Sequence, residues 1–516
     1  MVEIRIVREM GFKTWIFFNF FMSSYMVLVS GRSLTLFFDN YQPIISKIDK
    51  KFLSVALDSS VIQNGFKKFN MSDPKLVKMI SHISPAYFRV GGNMADRLIF
   101  VPNGEKSNSI SNYSEEIEQC SHEFCSYAAT ANFSMYGKDW LLLNNLTKKS
   151  NLEMVFDLNV LRRFQNNTWD SRNAEELIKF SDRHRLNVNW QLGNEPNSFR
   201  HTFNYEVNAS QLAADFRMLK RILKKYERYA KSYVIGPDTT RPEIEHKESM
   251  KYLEDFLKNG KGAVDIVSWH QYYFNGRTAT ESDFLDPAIF DILNWQIDVV
   301  KQIQKITNTG DKKVWLAETS SAWGGGSPMF SDKFIASFIW LDKLGVAAKK
   351  GLDAVVRQSV FHGNYALISD NLQPNPDYWI SVLYKNLVGA QVINCFNATS
   401  SKVRLYCHCT SDAIRKNPIS LITVYGMNMQ DTPAKIRILG LDDDIPTSQK
   451  IVAYTISSNG SLLGKDVYSS GVLLRLTPSN ELPHFNYTIV NAKPYVLMPP
   501  FSIVFWIVPT KSRICY

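Results

Sequence analysis

Residues 188–199 read VNWQLGNEPNSF, and this stretch decides the architecture. Its apolar run, VNWQL, is too short for a helix and is closed by Gly193, so it reads as a buried strand. Pro196 bars the chain from continuing as strand or helix, which leaves Asn194 and Glu195 at the strand mouth. The same pattern recurs along the chain at residues 52–57, 86–90, 152–158, 233–235, 264–269, 314–317 and 354–360. Helical periodicity lies between the runs, for example over 210–231 and 287–307. Eight βα units in series predict an α/β fold, a closed (β/α)8 TIM barrel over 52–383, with its active site at the carboxyl ends of the strands.

The seventh run carries a second glutamate, in VWLAETSSAWGGGSP at 314–328. Two carboxyl groups at the mouths of parallel strands are what glycoside hydrolysis needs. One protonates the leaving oxygen while the other, ionised, meets the oxocarbenium-like centre. A separation of roughly 5–5.5 Å makes the second a nucleophile and retains the anomeric configuration. Asn194 stands ready to hydrogen-bond a sugar hydroxyl beside Glu195, so Glu195 is the expected acid/base. Glu318 is followed by Thr319, Ser320 and Ser321, whose donors favour an ionised carboxylate. It is the expected nucleophile.

Beyond residue 384 the texture changes to short strands of mixed polarity at 403–407, 421–425, 435–438, 451–455, 472–476 and 502–508, predicting a β-sandwich over 384–516. Residues 31–51 are expected to join it, with 34–38 borrowed at its edge. At the amino end Arg5, Arg8 and Lys13 precede an apolar run from 15 to 29. This reads as a secretory signal peptide over 1–30 rather than a stable transmembrane anchor. Nine Asn-X-Ser/Thr sequons and six cysteines agree with export into an oxidising, secreted or lysosomal setting. Cys407, His408 and Cys409 alternate across one strand with no second pair to complete a metal site, so no metal and no cofactor is expected. The net charge of +10 favours polyanions in general; export argues against nucleic acid.

These segments, with ISPAYFRVGGNMADRLIF at 83–100, WHQYYFNGRTAT at 269–280 and the stretches 340–345, 357–365 and 376–379, resemble the heparanases of glycoside hydrolase family 79. The likeness spans nearly the whole mature chain. It implies a (β/α)8 barrel with a β-sandwich and a retaining endo-β-glucuronidase acting on heparan sulfate or a related glucuronate polysaccharide. An exo-acting β-glucuronidase and an inactive heparan-sulfate-binding relative are the alternatives. By position it implies Glu195 as acid/base and Glu318 as nucleophile, sugar contacts from Asp58, Asn194, Tyr272 and Gln358, and a uronate carboxylate held at Gly363 and Tyr365. Arg277 matches a basic contact near the cleft, and Cys409 is implied to pair with Cys515. Cys120 with Cys125 and Cys395 with Cys407 are then the remaining default pairs. Peripheral attachment to the cell surface through proteoglycans is a further expectation.

Three departures from the family stand out. Asn93 replaces a threonine after the double glycine and keeps its hydrogen-bonding capacity. One residue fewer separates Gln358 from Gly363. Where the family carries a basic run for sulfates, this chain has Arg241 as its substrate contact, followed by Glu243, Glu245 and Glu248. Carboxylates there repel sulfate. A compensating basic face is the helix bearing Arg217, Lys220, Arg221, Lys224, Lys225, Arg228 and Lys231, with Lys148 and Lys149 as a further basic rim.

Overall fold

A computed structural model of the chain describes residues 33–39, 43–102, 131–397, 401–414, 420–440, 449–510 and 513–515. The signal-peptide expectation and the Cys120–Cys125 pairing lie outside the described residues.

Eight parallel strands form the barrel: β1 (Leu53–Asp58), β2 (Ala86–Gly91), β3 (Leu152–Leu158), β4 (Val188–Leu192), β5 (Ile235–Thr239), β6 (Ile266–Gln271), β7 (Lys313–Thr319) and β8 (Ala354–Arg357). Hydrogen bonding runs β4-β3-β2-β1-β8-β7-β6-β5, and a parallel bridge from Trp190 to Val234 brings the ends together. The strands are buried on both faces, which is why they read as continuous apolar runs. Helices such as Ala209–Leu223 and Pro287–Ile306 cover the outside. The first of these ends eight residues before the predicted Lys231, giving way to a short 3-10 turn at Glu227–Tyr229.

The last barrel helix, Pro376–Leu387, passes directly into a strand, Val388–Ile393. The barrel's helical layer therefore continues past residue 383, because no turn residue interrupts the chain there. Two sheets follow. A nine-stranded sheet is centred on Val403–Thr410, Ser420–Asn428 and Ser502–Thr510; a four-stranded one contains Cys395–Asn397, Leu34–Phe38, Ala434–Leu439 and Val496–Met498. Leu34–Phe38 is not an edge. It lies between two strands, parallel to Ala434–Leu439, because Leu36 and Phe38 are needed in the core between the sheets. Ile44–Lys47 instead forms the border of the larger sheet.

The central strands of the larger sheet face two cores at once. Ile422, Val424, Val504 and Trp506 pack toward the smaller sheet. Tyr425, Met427, Phe505 and Ile507 join the core shared with the barrel helices. The Tyr425 ring meets that of Tyr384, on the last barrel helix, edge-on at 5.5 Å. Disulfides Cys395–Cys407 and Cys409–Cys515 link the two sheets and tie down the carboxyl end. The sulfurs of Cys407 and Cys409 are thus consumed, and His408 lies between the Gly389 carbonyl and the Tyr425 hydroxyl.

Candidate active site

Inside the barrel an apolar floor carries a polar layer. Tyr87, Val155, Ile266, Trp315 and Val356 form the floor. Two residues further along β2 and β3, and so on the same face, stand Arg89 and Asp157. Two departures from strand alternation complete the layer. Between β5 and β6 the register steps past Asp238, which adopts a left-handed backbone with φ 54°. Between β6 and β7 it steps past Ala317, so that His270 pairs with Glu318. Each extra residue breaks the inward–outward alternation of its strand, as bulges beside active sites do. Without the second, Glu318 would point at the outer helices. With it, Glu318 faces the barrel axis while Thr319 turns outward to Lys343.

Arg89 is the hub, 1% exposed. Its Nη1 donates to Glu318 Oε2 at 2.6 Å, Nη2 to Asn194 Oδ1 at 2.8 Å and Asp238 Oδ2 at 3.0 Å, and Nε to Gln191 Oε1 at 2.8 Å. The Tyr272 hydroxyl donates to the other oxygen of Glu318 at 2.7 Å. Burial pushes the Glu318 carboxyl up, but the charges of His270 and Arg89 and the bonds from Tyr272 and Arg89 outweigh it, holding the group below its ordinary range. His270 is resisted by burial yet raised to about 10 by Glu318 and Asp238 and by bonding to Asp238 and Glu195. At neutral pH the site therefore holds an ionised Glu318 between two cations.

Glu195 approaches from β4. Its backbone is left-handed, φ 52°, and its N–H donates to the Asp238 carbonyl at 3.0 Å. Its side chain, 22% exposed, meets His270 Nδ1 at 3.0 Å. Glu195, His270 and Glu318 each present an atom within 4.8 Å of the others. Three such groups resemble a metal cradle, but a protonated imidazole and a guanidinium already neutralise Glu318. A metal ion would have to displace the imidazole proton.

A cleft of about 1440 Å³ opens over this pair and is lined by Asp58, Asn93, Arg241, Tyr272, Arg277, Gln358 and Tyr365, as well as by both glutamates. Asp58 accepts from Gln358 Nε2 at 2.8 Å and from the Ser60 N–H at 2.9 Å. Burial raises its carboxyl despite those Ser60 bonds, and the charge of Glu318 adds to the rise. Gly92 permits that placement: at φ +96° its Cβ would lie 2.6 Å from Asp58 Oδ2. Tyr365 stacks on Tyr272 at 6.3 Å and is fixed by Arg357, which donates to its carbonyl and pairs with Asp377. One predicted contact, Asn194, stands behind the wall, and another, Gly363, is exposed but is not among the residues that line the cleft. Asn194 is 2% exposed, its amide oxygen taken by Arg89 and the Gly92 N–H and its amino group by Asn93. Gly363, at φ +85°, has Tyr365 where its Cβ would be. The sequence reading did not single out Arg89, His270, Asp238 or Gln191. An inward-facing charge within the apolar run of β2 was the available signal for Arg89.

The model for glycosyl hydrolase family 79, N-terminal domain, matches residues 57–345. The chain belongs to glycoside hydrolase family 79. Within the family it is similar to the heparanase of Gallus gallus, 32% identical over 500 residues, covering 91% of this chain and 94% of that one. It is also similar to the inactive heparanase-2 of Mus musculus, at 31% with 91% and 87% covered. The hyaluronoglucuronidase of Hirudo nipponia matches at 30%, with 86% and 91% covered. Among solved structures, a 4-O-α-L-rhamnosyl-β-D-glucuronidase from Fusarium oxysporum shares the fold with TM-score 0.66 at 12% identity, covering 92% of this chain and all of that one. Membership of this family supports a glycosidase.

Proposed function

We propose that the protein is a retaining endo-β-glucuronidase that cleaves glucuronosyl linkages within a glycosaminoglycan chain, in a secreted or lysosomal setting. The observation that carries this is the pair Glu195 and Glu318, with carboxylate oxygens within 4.8 Å at the floor of the cleft. So close an approach suits the retaining arrangement, with carboxyl groups roughly 5–5.5 Å apart, better than the roughly 6.5–9.5 Å of inverting enzymes.

Glu195 protonates the glycosidic oxygen as the bond to the anomeric carbon breaks, and Glu318 attacks that carbon to form a glycosyl ester. Glu195, now ionised, takes a proton from water, whose oxygen attacks the same carbon and releases Glu318. Arg89 and Tyr272 hold the attacking carboxylate, and His270 orients Glu195. A cleft of about 1440 Å³ exceeds the roughly 300–1,000 Å³ of small-molecule sites, which favours internal cleavage over a one-sugar pocket. The disulfides and sequons support an oxidising compartment.

The test is incubation of the purified protein with heparan sulfate chains and with an aryl β-glucuronide. Product sizing is combined with early NMR of the released anomer. Mid-sized fragments with retained configuration are expected. Single uronates released from chain ends point to exo action, inverted product removes the nucleophile role, and no hydrolysis of either places the chain with inactive relatives.

A further inference from the structure

The chain carries +10 overall, yet the cleft does not share that charge. Away from the catalytic floor its arginines among the described residues are Arg200, Arg241 and Arg277, and the same lining holds Glu206, Glu243 and Glu248 with His201 and His246, and no lysine. Arg241, the cation nearest in sequence to the catalytic floor's Asp238, is already engaged. Its guanidinium carbon lies over the Trp323 ring, 4.3 Å from the centroid, and it forms an ion pair with Glu243. A sulfate reaching Arg241 must displace a carboxylate tethered two residues away.

The basic helix offers no substitute. Lys220 pairs with Asp265, Lys225 with Glu175, and Arg217 donates to the Asn259 carbonyl, all on the barrel's outside. Lys148 and Lys149 end the helix that leads into β3, at the barrel end opposite the cleft.

Building on the proposed glycosidase activity, we propose that the cleft is matched to a glucuronate chain without sulfates, and that Glu243 is the residue that discriminates against the sulfated form. A single carboxylate per disaccharide is recognised by short-range hydrogen bonds. A densely sulfated chain needs an excess of cations, and here carboxylates cancel them.

The experiment compares kcat/KM on heparosan, the unsulfated chain, with that on heparan sulfate and on an aryl β-glucuronide, at low and at physiological ionic strength. Heparosan is expected to be preferred by about tenfold or more at low salt, the scale of a charge-steering effect. The preference should narrow as salt screens the rim over ~8 Å. Glu243→Gln should reduce the ratio severalfold at low salt without needing to improve either rate, and Glu248→Gln provides a second probe if the first misfolds. A preference for the sulfated chain that weakens with salt overturns the proposal while leaving the glycosidase standing. So does an unchanged ratio in both variants, or cleavage of the aryl glucuronide with neither polymer cut. Loss of all three activities in the wild-type protein overturns the glycosidase reading itself, and this proposal with it.

Discussion

Replacing Tyr272 by phenylalanine isolates one contribution to Glu318, the proposed nucleophile. The ring stays, stacked on Tyr365, and only the hydroxyl that donates to Glu318 Oε1 at 2.7 Å is lost. Hydrogen bonds to charged groups are worth about 1.5–3 kcal/mol, and one pKa unit is about 1.4 kcal/mol. If the bond favours only the ionised form, the Glu318 pKa rises by about 1–2 units. Because a depressed carboxyl must be ionised to attack, the acid limb of kcat/KM moves to higher pH by the same amount. Arg89 and His270 keep Glu318 ionised near neutrality, so activity there falls less. Stability follows the same sign. The contribution of Glu318 is present above its unfolded pKa, near ~4.3, and is lost as pH falls through the folded value; in the variant that loss begins at higher pH. The assay is a pH profile on an aryl β-glucuronide, with a thermal melt at each pH as control. An acid limb within about 0.3 units of wild type, under ~0.4 kcal/mol, refutes the assignment of this hydroxyl to the carboxylate.

Glu318→Gln is expected to abolish turnover with folding intact, since an amide cannot form the glycosyl ester; turnover within about tenfold of wild type removes the nucleophile assignment, one factor of ten being ~1.4 kcal/mol. His270, raised to about 10, stabilises the fold fully below its unfolded value near ~6.5 and loses that contribution as pH rises through about 10. Wild type should therefore lose melting temperature between neutral pH and pH ~10 more steeply than His270→Gln, and parallel curves would count against a charged imidazole. Cys515→Ser opens a loop with a sequence separation of 106 and should cost up to about 5 kcal/mol in urea unfolding by chain entropy; a loss under ~1 kcal/mol would show that the sandwich core holds the end without the bond.

What the sequence reveals of this site follows from how far periodicity reaches. Each barrel strand is apolar because both faces are buried, so their number and order are readable from runs and breaks, and Glu195 is readable because Pro196 ends its segment. The sandwich is less so. Val388–Ile393 follows a helix without a turn, and Leu34–Phe38 finds partners hundreds of residues away. The aim of individual side chains is harder again. Strict alternation from Trp315 and Ala317, both on the barrel floor, sends Glu318 outward, and only the extra residue in β7 turns it to the axis. The same step in β5 delivers Asp238 to Arg89 and His270. A bulge is a mismatch between two strands, and neither strand's own sequence records it. The place of Glu318 was thus legible by position along the chain, whereas the charges that keep it ionised depend on pairings that exist only once the barrel has closed.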